Sequence, residues 1–225
     1  ATAANNGQIG NNGMFVGVES ATLGSVILGR PLATTYTFSQ TANGTKGVTG
    51  FAATDSLITG TDGTAANGTT VVAAASSVYV SNAIQYTTPT MAGFSAQLEY
   101  SASEGFGVKS NNAVGLKYAN GPLTATLVRN NLSDFRVGSE YIATVNQLAA
   151  SYDFGVAKAF LTYQNINQAQ AATDPNLRNY VLGVSAPVGP GVVWAQYGRA
   201  SNDVSADAAT ITGLGYKYSL SKRST

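Results

Sequence analysis

The sequence contains no cysteine and no histidine. Without cysteine the chain can form no disulfide and offers no thiolate metal ligand. Without histidine it lacks the imidazole base of the usual hydrolytic triads and zinc centres. These two absences exclude most familiar hydrolytic chemistry, so we predict no enzyme activity, no catalytic residue, no metal site and no cofactor.

Charged residues and long hydrophobic runs are also scarce. Asp, Glu, Lys and Arg make up 10% of the residues, against about 25% in soluble domains. The formal net charge is +1, and no Lys/Arg cluster precedes Lys222-Arg223, so the chain lacks the electrostatic footprint of a nucleic-acid-binding protein. The purest apolar run, residues 71–75, is far shorter than the roughly 18 to 20 residues of a transmembrane helix. Nucleic-acid binding and helical membrane spans are therefore excluded.

What the sequence does contain is alternation. Apolar or aromatic residues alternate with small or polar ones over residues 94–100, 114–118, 147–152, 179–186 and 212–220. A period of two is typical of β-strands whose two faces meet different surroundings. Glycine within these segments, together with abundant Thr, Val and Tyr, favours pleated structure over helix. We therefore predict an all-β chain and, because no linker divides it, a single domain over residues 1–225.

The connections between the predicted strands alternate in length. We place the short ones at residues 20–24, 87–93, 119–122, 153–156 and 187–191, and the long ones at 31–80, 101–111, 130–140, 165–177 and 200–208. An outer-membrane barrel has short turns at one end and longer loops at the other. The alternation therefore predicts a transmembrane antiparallel up-and-down β-barrel, to which this chain contributes about 11 strands.

Tyrosines lie near both predicted ends of the strands. The short connections have Tyr86, Tyr118, Tyr152, Tyr216 and Tyr218 beside them, and the long connections have Tyr100, Tyr163, Tyr180 and Tyr197. Two such rings, about one membrane-strand apart, are the aromatic girdles of outer-membrane barrels. The alternative interpretation is that tyrosine marks strand ends, as it does in other β proteins.

Several stretches resemble a known family. They include MFVGV (14–18), SNAIQY (81–86), SYDFGVAK (151–158), LGVSAPVG (182–189) and GLGYKYSLSKRST (213–225). These are similar to strands of the general trimeric porins of β-proteobacteria. The resemblance implies a homotrimer of 16-stranded, water-filled barrels in the outer membrane of a Gram-negative bacterium. Its implied partners are outer-membrane lipid, inorganic ions and small hydrophilic solutes.

The strand count adds a further expectation. An odd number of strands would leave backbone groups unpaired in lipid, which cannot hydrogen-bond them. If the chain follows the family, three strands are missing before Ala1 and two after Thr225. We therefore expect the chain to be a fragment of a longer porin.

The resemblance also gives the connection over residues 31–80 a role. Structureless loops longer than about 12 to 15 residues are usually functional or disordered, and in the family this loop folds inward and narrows the channel. The implied constriction residues are Arg30 and Gln85 on the wall and Asp55 and Asp62 on the loop. The alternative is a loop that is disordered or displaced outward.

The polar phase of the strands would line the channel. We predict Gln97, Glu99, Lys117, Lys158 and Lys217 on this wall. Because three of its four charges are cationic, and wall charge biases ion passage, a weak anion preference follows. The alternative is that the lysines are only solvated strand residues. Phe160 and Trp194 fall on the same watery phase, which the sequence explains only through a bulge or a covering loop.

The function these features predict is passive diffusion of ions and small hydrophilic solutes through an outer-membrane porin. The alternative is a repetitive surface β adhesin of the autotransporter kind, which shares the richness in Gly, Asn, Thr and Ala. Residues 60–68 even resemble one calcium-binding repeat. A β-roll needs several stacked copies, however, and no fixed period recurs through the chain.

Overall fold

The computed structural model describes residues 13–42, 63–64, 70–72, 78–103, 110–136, 139–168, 176–203 and 208–218. Within these ranges the elements are β1 (Met14–Ser20), β2 (Gly24–Arg30), α1 (Thr34–Ala42), β3 (Gly63–Thr64), β4 (Thr70–Val72), β5 (Ala83–Thr87), β6 (Phe94–Ser101), β7 (Asn111–Asn120), β8 (Leu123–Arg136), β9 (Ser139–Asp153), β10 (Lys158–Gln168), β11 (Leu177–Val188), β12 (Gly191–Asn202) and β13 (Ala208–Tyr218). No helix among the described residues is long and apolar enough to cross a membrane.

One large antiparallel sheet dominates the described part of the chain. Its 11 strands follow the order β1-β2-β5-β6-β7-β8-β9-β10-β11-β12-β13, so neighbours in sequence are neighbours in the sheet. The chain leaves the sheet after Arg30 and returns at Ala83, and β5 then pairs directly with β2, with Leu28 opposite Ile84. β3 and β4 form a separate pair within this excursion. The predicted all-β, up-and-down architecture is confirmed.

The two faces of the sheet are the reverse of those in a soluble protein. Leu98 is 49% exposed, whereas its neighbours Gln97 and Glu99 are 8% and 5% exposed. The exposed apolar phase continues around the sheet, as Leu116 and Leu182 show, whereas the opposite phase carries buried polar residues such as Gln196 together with a buried apolar cluster that includes Ile166 and Leu177. We call the face that carries the buried polar side chains the inner face, and the opposite one the outer face. An apolar outer face is the arrangement expected where lipid surrounds the sheet.

Two of the short connections are tight turns that glycine makes possible. Only residues 121 and 122 separate β7 from β8, and only 189 and 190 separate β11 from β12. Gly121 and Gly189 have φ values of +55° and +57°. This left-handed conformation is what two-residue hairpins require, and glycine adopts it without a steric cost. These turns fix the register of the strands that they join.

The predicted long connection over residues 130–140 is wrong. β8 continues to Arg136 and β9 starts at Ser139, and the two strands stay in register to their ends. The prediction failed because the apolar alternation stops in this region, where Asn131 on the outer face bonds Asn112 through an Nδ2···Oδ1 contact of 2.9 Å. A strand that extends beyond the apolar band loses the alternation without losing its backbone pairing.

Aromatic rings on the inner face lie over glycines of the neighbouring strand. Phe160 is directly opposite Gly183 in a regular register, and a Cβ at Gly183 would lie 2.0 Å from Phe160 Cε2. In the same way, a Cβ at Gly215 would lie 2.5 Å from Trp194 Cζ2. Phe160 and Trp194 are both buried. The glycines thus accommodate rings that lie against the wall, and neither position needs a bulge.

We expect Gly183→Ala to destabilise the sheet by about 1 to 3 kcal/mol, because the new methyl group overpacks the wall against Phe160. Urea unfolding followed by the fluorescence of Trp194, the single tryptophan, measures the change. The double variant Gly183→Ala/Phe160→Leu should recover part of the loss, since removing the ring relieves the clash. Equal stability of Gly183→Ala and the parent chain would show that the ring does not need the glycine.

Candidate functional site

Helix α1 lies against the inner face of the sheet and contacts β6, β7, β8, β9 and β10. Its first two residues, Thr34 and Thr35, are completely buried, and Phe38 is 6% exposed. The Phe38 ring fits over Gly115 of β7, where a Cβ would lie 2.9 Å from Phe38 Cε1. The absence of a side chain at Gly115 therefore permits the close approach of the helix to the wall.

The start of α1 is held by the carboxylate of Glu99. Glu99 Oε2 accepts hydrogen bonds from the backbone N–H of Thr34 at 2.7 Å, from Thr34 Oγ1 at 2.9 Å and from Gln85 Nε2 at 2.7 Å. Gln85 also donates to the carbonyl oxygen of Leu32 at 2.6 Å. Free N–H groups and the positive end of the helix dipole favour an anion at this position. Glu99 and Gln85 thus clamp the point where the helix begins.

Further polar side chains of the wall bond the rest of the helix. Asn130 Nδ2 donates to Thr35 Oγ1 at 3.0 Å, and Gln147 Nε2 donates to the Thr35 carbonyl at 3.1 Å. Thr126 Oγ1 donates to the Phe38 carbonyl at 3.2 Å. Buried polar groups are tolerated when they are paired in this way. The helix is therefore attached to the wall by polar side chains from several strands.

Sequence reasoning missed α1. Its sequence, TTYTFSQTA, is rich in threonine and lacks acidic residues in the first turn, so its intrinsic helix propensity is low. The helix is stabilised by the wall residues that bond it, and these are distant in sequence. The one signal that could have indicated it is the set of inward Gln, Asn and Glu residues on successive strands, which need partners when buried.

The described parts of the segment between β2 and β5 contact two separate areas of the sheet. α1 covers β6 to β10, and β4 contacts β12 and β13. Of the predicted loop at residues 31–80, α1 therefore lies against the inner face of the sheet. Asp55 and Asp62, the predicted acidic residues of the constriction, lie outside the described residues. Their pairing with the wall stays a prediction.

Arg30 lies where the chain leaves the sheet. Its Nη1 donates to Ser81 Oγ, and its guanidinium carbon is 5.7 Å from the centre of the Tyr79 ring. A backbone hydrogen bond joins the same two parts of the chain, since Val80 N donates to the Pro31 carbonyl at 3.0 Å. Arg30 therefore joins the two ends of the excursion. Its predicted role in a constriction is not tested by these contacts.

The three predicted lysines gather at the end of the sheet with the short connections. Lys158 is the first residue of β10, Lys217 pairs with Val192 at the start of β12, and Lys117 pairs with Thr126 near the β7–β8 turn. All three are half-buried on the inner phase of their strands. We call this set the lysine arc. Of the predicted wall charges, Glu99 lies instead beneath α1, so its carboxylate serves the helix.

The predicted tyrosines all fall on the outer phase of their strands. Aromatic contacts link several of them: Tyr118 with Phe94 at 4.6 Å between ring centres, Tyr152 with Phe154 at 4.7 Å, Tyr180 with Tyr197 at 6.1 Å, and Tyr216 with Tyr218 at 6.3 Å. Tyr86, Tyr100 and Tyr163 complete the set on the same face. Their positions suit an aromatic girdle, whereas anchoring in the membrane interface stays a prediction.

An antiparallel up-and-down sheet with an apolar outer face, buried polar side chains on its inner face and a helix packed against that inner face has the architecture of an outer-membrane β-barrel wall. The model of the Gram-negative porin family matches residues 1–225, so the chain belongs to this family. It is accordingly a protein of the outer membrane.

Known relatives agree with this assignment. Outer membrane porin protein 32 of Delftia acidovorans is 34% identical over 157 residues, which cover 65% of this chain and 44% of that protein. An outer membrane porin protein of Bordetella pertussis is 27% identical and covers 68% of this chain and 51% of its own length. The chain thus spans about half the length of the curated relatives that it matches.

Solved structures show the same fold. The anion-selective porin from Comamonas acidovorans has a TM-score of 0.71 and 28% sequence identity, covering 92% of this chain and 62% of that one. The trimer form of OmpT from Vibrio cholerae has a TM-score of 0.65 at 14% identity, with 92% and 65% coverage, and its likeness concerns the fold alone.

Proposed function

We propose that the protein forms a water-filled diffusion channel in the outer membrane, which passes ions and small hydrophilic solutes with a preference for anions. The observation that carries this proposal is the lysine arc on the inner face. Glu99 does not belong to this mouth, because its carboxylate lies beneath α1 and accepts hydrogen bonds from Thr34. Asp153 caps its own turn by accepting from Gly155 N at 2.8 Å. On the inner phase at this end, the described residues carry three lysines against two carboxylates, those of Glu19 and of Asp153, which lies opposite Lys158, so the balance of charge at this mouth is cationic.

Discrimination in such a channel needs no binding step. Charges on the wall act over about 10 Å at 0.1 M salt, so the lysine arc raises the local anion concentration at the mouth. Width is limited by whatever covers the inner face, which here includes α1. We further propose that residues 31–80 form the constriction, with Arg30 and Gln85 on the wall and Asp55 and Asp62 on the loop. No covalent chemistry is required, and we expect no enzyme activity.

We also propose that the channel is a homotrimer, as the resemblance to the general trimeric porins of β-proteobacteria implies. The alternative of a repetitive β adhesin is not supported, because the sheet is up-and-down and pairs successive strands. A stacked solenoid would instead repeat a fixed period.

Planar-bilayer recording under a salt gradient tests the proposal. The β content of the refolded chain is checked by circular dichroism. The chain should give discrete current steps that close in thirds, and the sign of its zero-current potential should show a preference for anions. If a β-rich sample is silent, the same recording is made on a chimera that supplies the remaining strands of a relative. A silent chimera, or one that prefers cations, would contradict the proposal.

A further inference from the structure

A groove runs over the outer face between β7 and β10, away from the channel side of the sheet. It has a volume of about 440 Å³. Its apolar floor includes Leu116, Leu127 and Leu148, which lie side by side because Leu127 pairs with both of the others. Leu116 and Leu127 are 52% and 55% exposed. An apolar floor of this kind fits a hydrocarbon chain.

A cation stands at one end of this floor. Arg129 lies two residues along β8 from Leu127, towards the long connections, and lines the groove together with Asn146 and Tyr163. Its Nη1 donates to Asn146 Oδ1 at 3.1 Å. This bond holds one edge of the guanidinium and leaves the remaining donors of its fork directed elsewhere. The described residues that line the groove include no carboxylate.

The position of Arg129 differs from that of the next outward arginine along the sheet. Arg178 has an acidic neighbour, Asp203, in the connection between β12 and β13. The pKa of the Asp203 carboxyl is held below its ordinary value, chiefly by hydrogen bonds from the side chain and backbone of Asn176 and also by the charge of Arg178. Arg129 instead borders apolar side chains, and a charge beside lipid is stabilised by an anionic group at the same depth.

We propose that this groove binds a phosphorylated membrane lipid, with an acyl chain over the leucine floor and its phosphate on Arg129. A guanidinium can bind phosphate oxygens through two parallel N–H···O bonds, a geometry that a single point charge does not provide. A neutral lipid would leave the guanidinium without an anion, and free phosphate would leave the leucines uncovered. The site does not depend on conduction, since the side chains that the proposal uses, those of Arg129 and the three leucines, lie on the outer face of the sheet.

Native mass spectrometry of the full chain, refolded in a neutral detergent, tests the proposal with dioleoylphosphatidic acid as the probe. One phosphatidic acid should bind per chain, and Arg129→Gln should weaken this binding about tenfold, the size of a lost charge-assisted contact. Leu127→Ala should weaken the binding of phosphatidic acid about threefold, because an apolar contact is lost. The matched control is Arg199→Gln, which removes an outward arginine of β12 outside the groove and should have no effect.

Several results would overturn the proposal. If dioleoylglycerol binds as tightly as phosphatidic acid, Arg129 contributes nothing to the affinity. Inorganic phosphate displacing the lipid at equal concentration would indicate a free-anion site. An equal loss of affinity for phosphatidic acid in Arg129→Gln and Arg199→Gln would indicate nonspecific attraction by surface charge. If Arg129→Gln fails to refold, Arg129→Lys keeps the charge without the fork and should still lose several-fold in affinity; unchanged affinity would contradict the bidentate contact.

Discussion

Replacing Lys158 and Lys217 by glutamate will convert an anion-preferring channel into a cation-preferring one. Both lysines lie on the inner phase at the end with the short connections, where Lys158 begins β10 and Lys217 pairs with Val192. Each reversal replaces a cation by an anion at the same place, and a ring of acidic side chains attracts cations. The zero-current potential under a salt gradient should therefore change sign.

The matched control changes the same number of charges on the other face. Arg178→Glu/Arg199→Glu alters the net charge equally, but both arginines are exposed on the outer face. This pair should leave the zero-current potential unchanged. The preference should also fade between about 0.1 M and 1 M salt, as the screening length falls from about 10 Å to about 3 Å. Equal shifts in both pairs, or a preference that survives 1 M salt, would argue against the lysine arc as its source.

Replacing Glu99 by alanine will release the start of α1 from the wall. The substitution removes three hydrogen bonds to one carboxylate oxygen and leaves the N–H and hydroxyl of Thr34 without their buried acceptor. The cost is about 3 kcal/mol, which corresponds to roughly a hundredfold faster hydrogen exchange at the Thr34 amide through local opening. In the channel, we expect larger current fluctuations as the helix moves on the inner face.

The control for this substitution lies two residues away. Gln97→Ala alters the same strand and the same face, but the Gln97 amide donates to Thr87 Oγ1 at 3.0 Å. It should change neither the Thr34 exchange rate nor the current noise. Glu99→Gln keeps an acceptor oxygen and should fall between the two. If the Thr34 amide exchanges as slowly in Glu99→Ala as in the parent chain, the carboxylate does not hold the helix.

The alternation of the strands was predictable because the surroundings impose it. Lipid on one side and polar contacts on the other require a period of two, and this places Leu98 outward and Gln97 and Glu99 inward. The tyrosines follow the same rule. The paired extension of β8 and β9 was not predictable from this signal, because both faces of a strand beyond the apolar band can be polar.

The partners of the inward residues could not be predicted. Sequence patterns identify Glu99 as a wall residue, but they do not show that Thr34, in a threonine-rich helix, lies against it. Likewise, Phe160 is anomalous on the polar phase until the register places Gly183 opposite it. Such contacts depend on which strands become neighbours across the sheet, and local propensity carries no information about them.

The central claim is that the inner face lines water while the outer face meets lipid. The chain has no cysteine, so single cysteines can be introduced at adjacent positions of β11 without background reaction. Ser185 lies on the inner phase, and Val184, which is 44% exposed, lies on the outer phase. The measurement is the reaction of each cysteine with a charged, membrane-impermeant methanethiosulfonate in reconstituted channels, followed by current. We predict that Ser185→Cys reacts and its current changes, whereas Val184→Cys does not react; equal reaction at both positions, or reaction at Val184→Cys alone, would contradict the account.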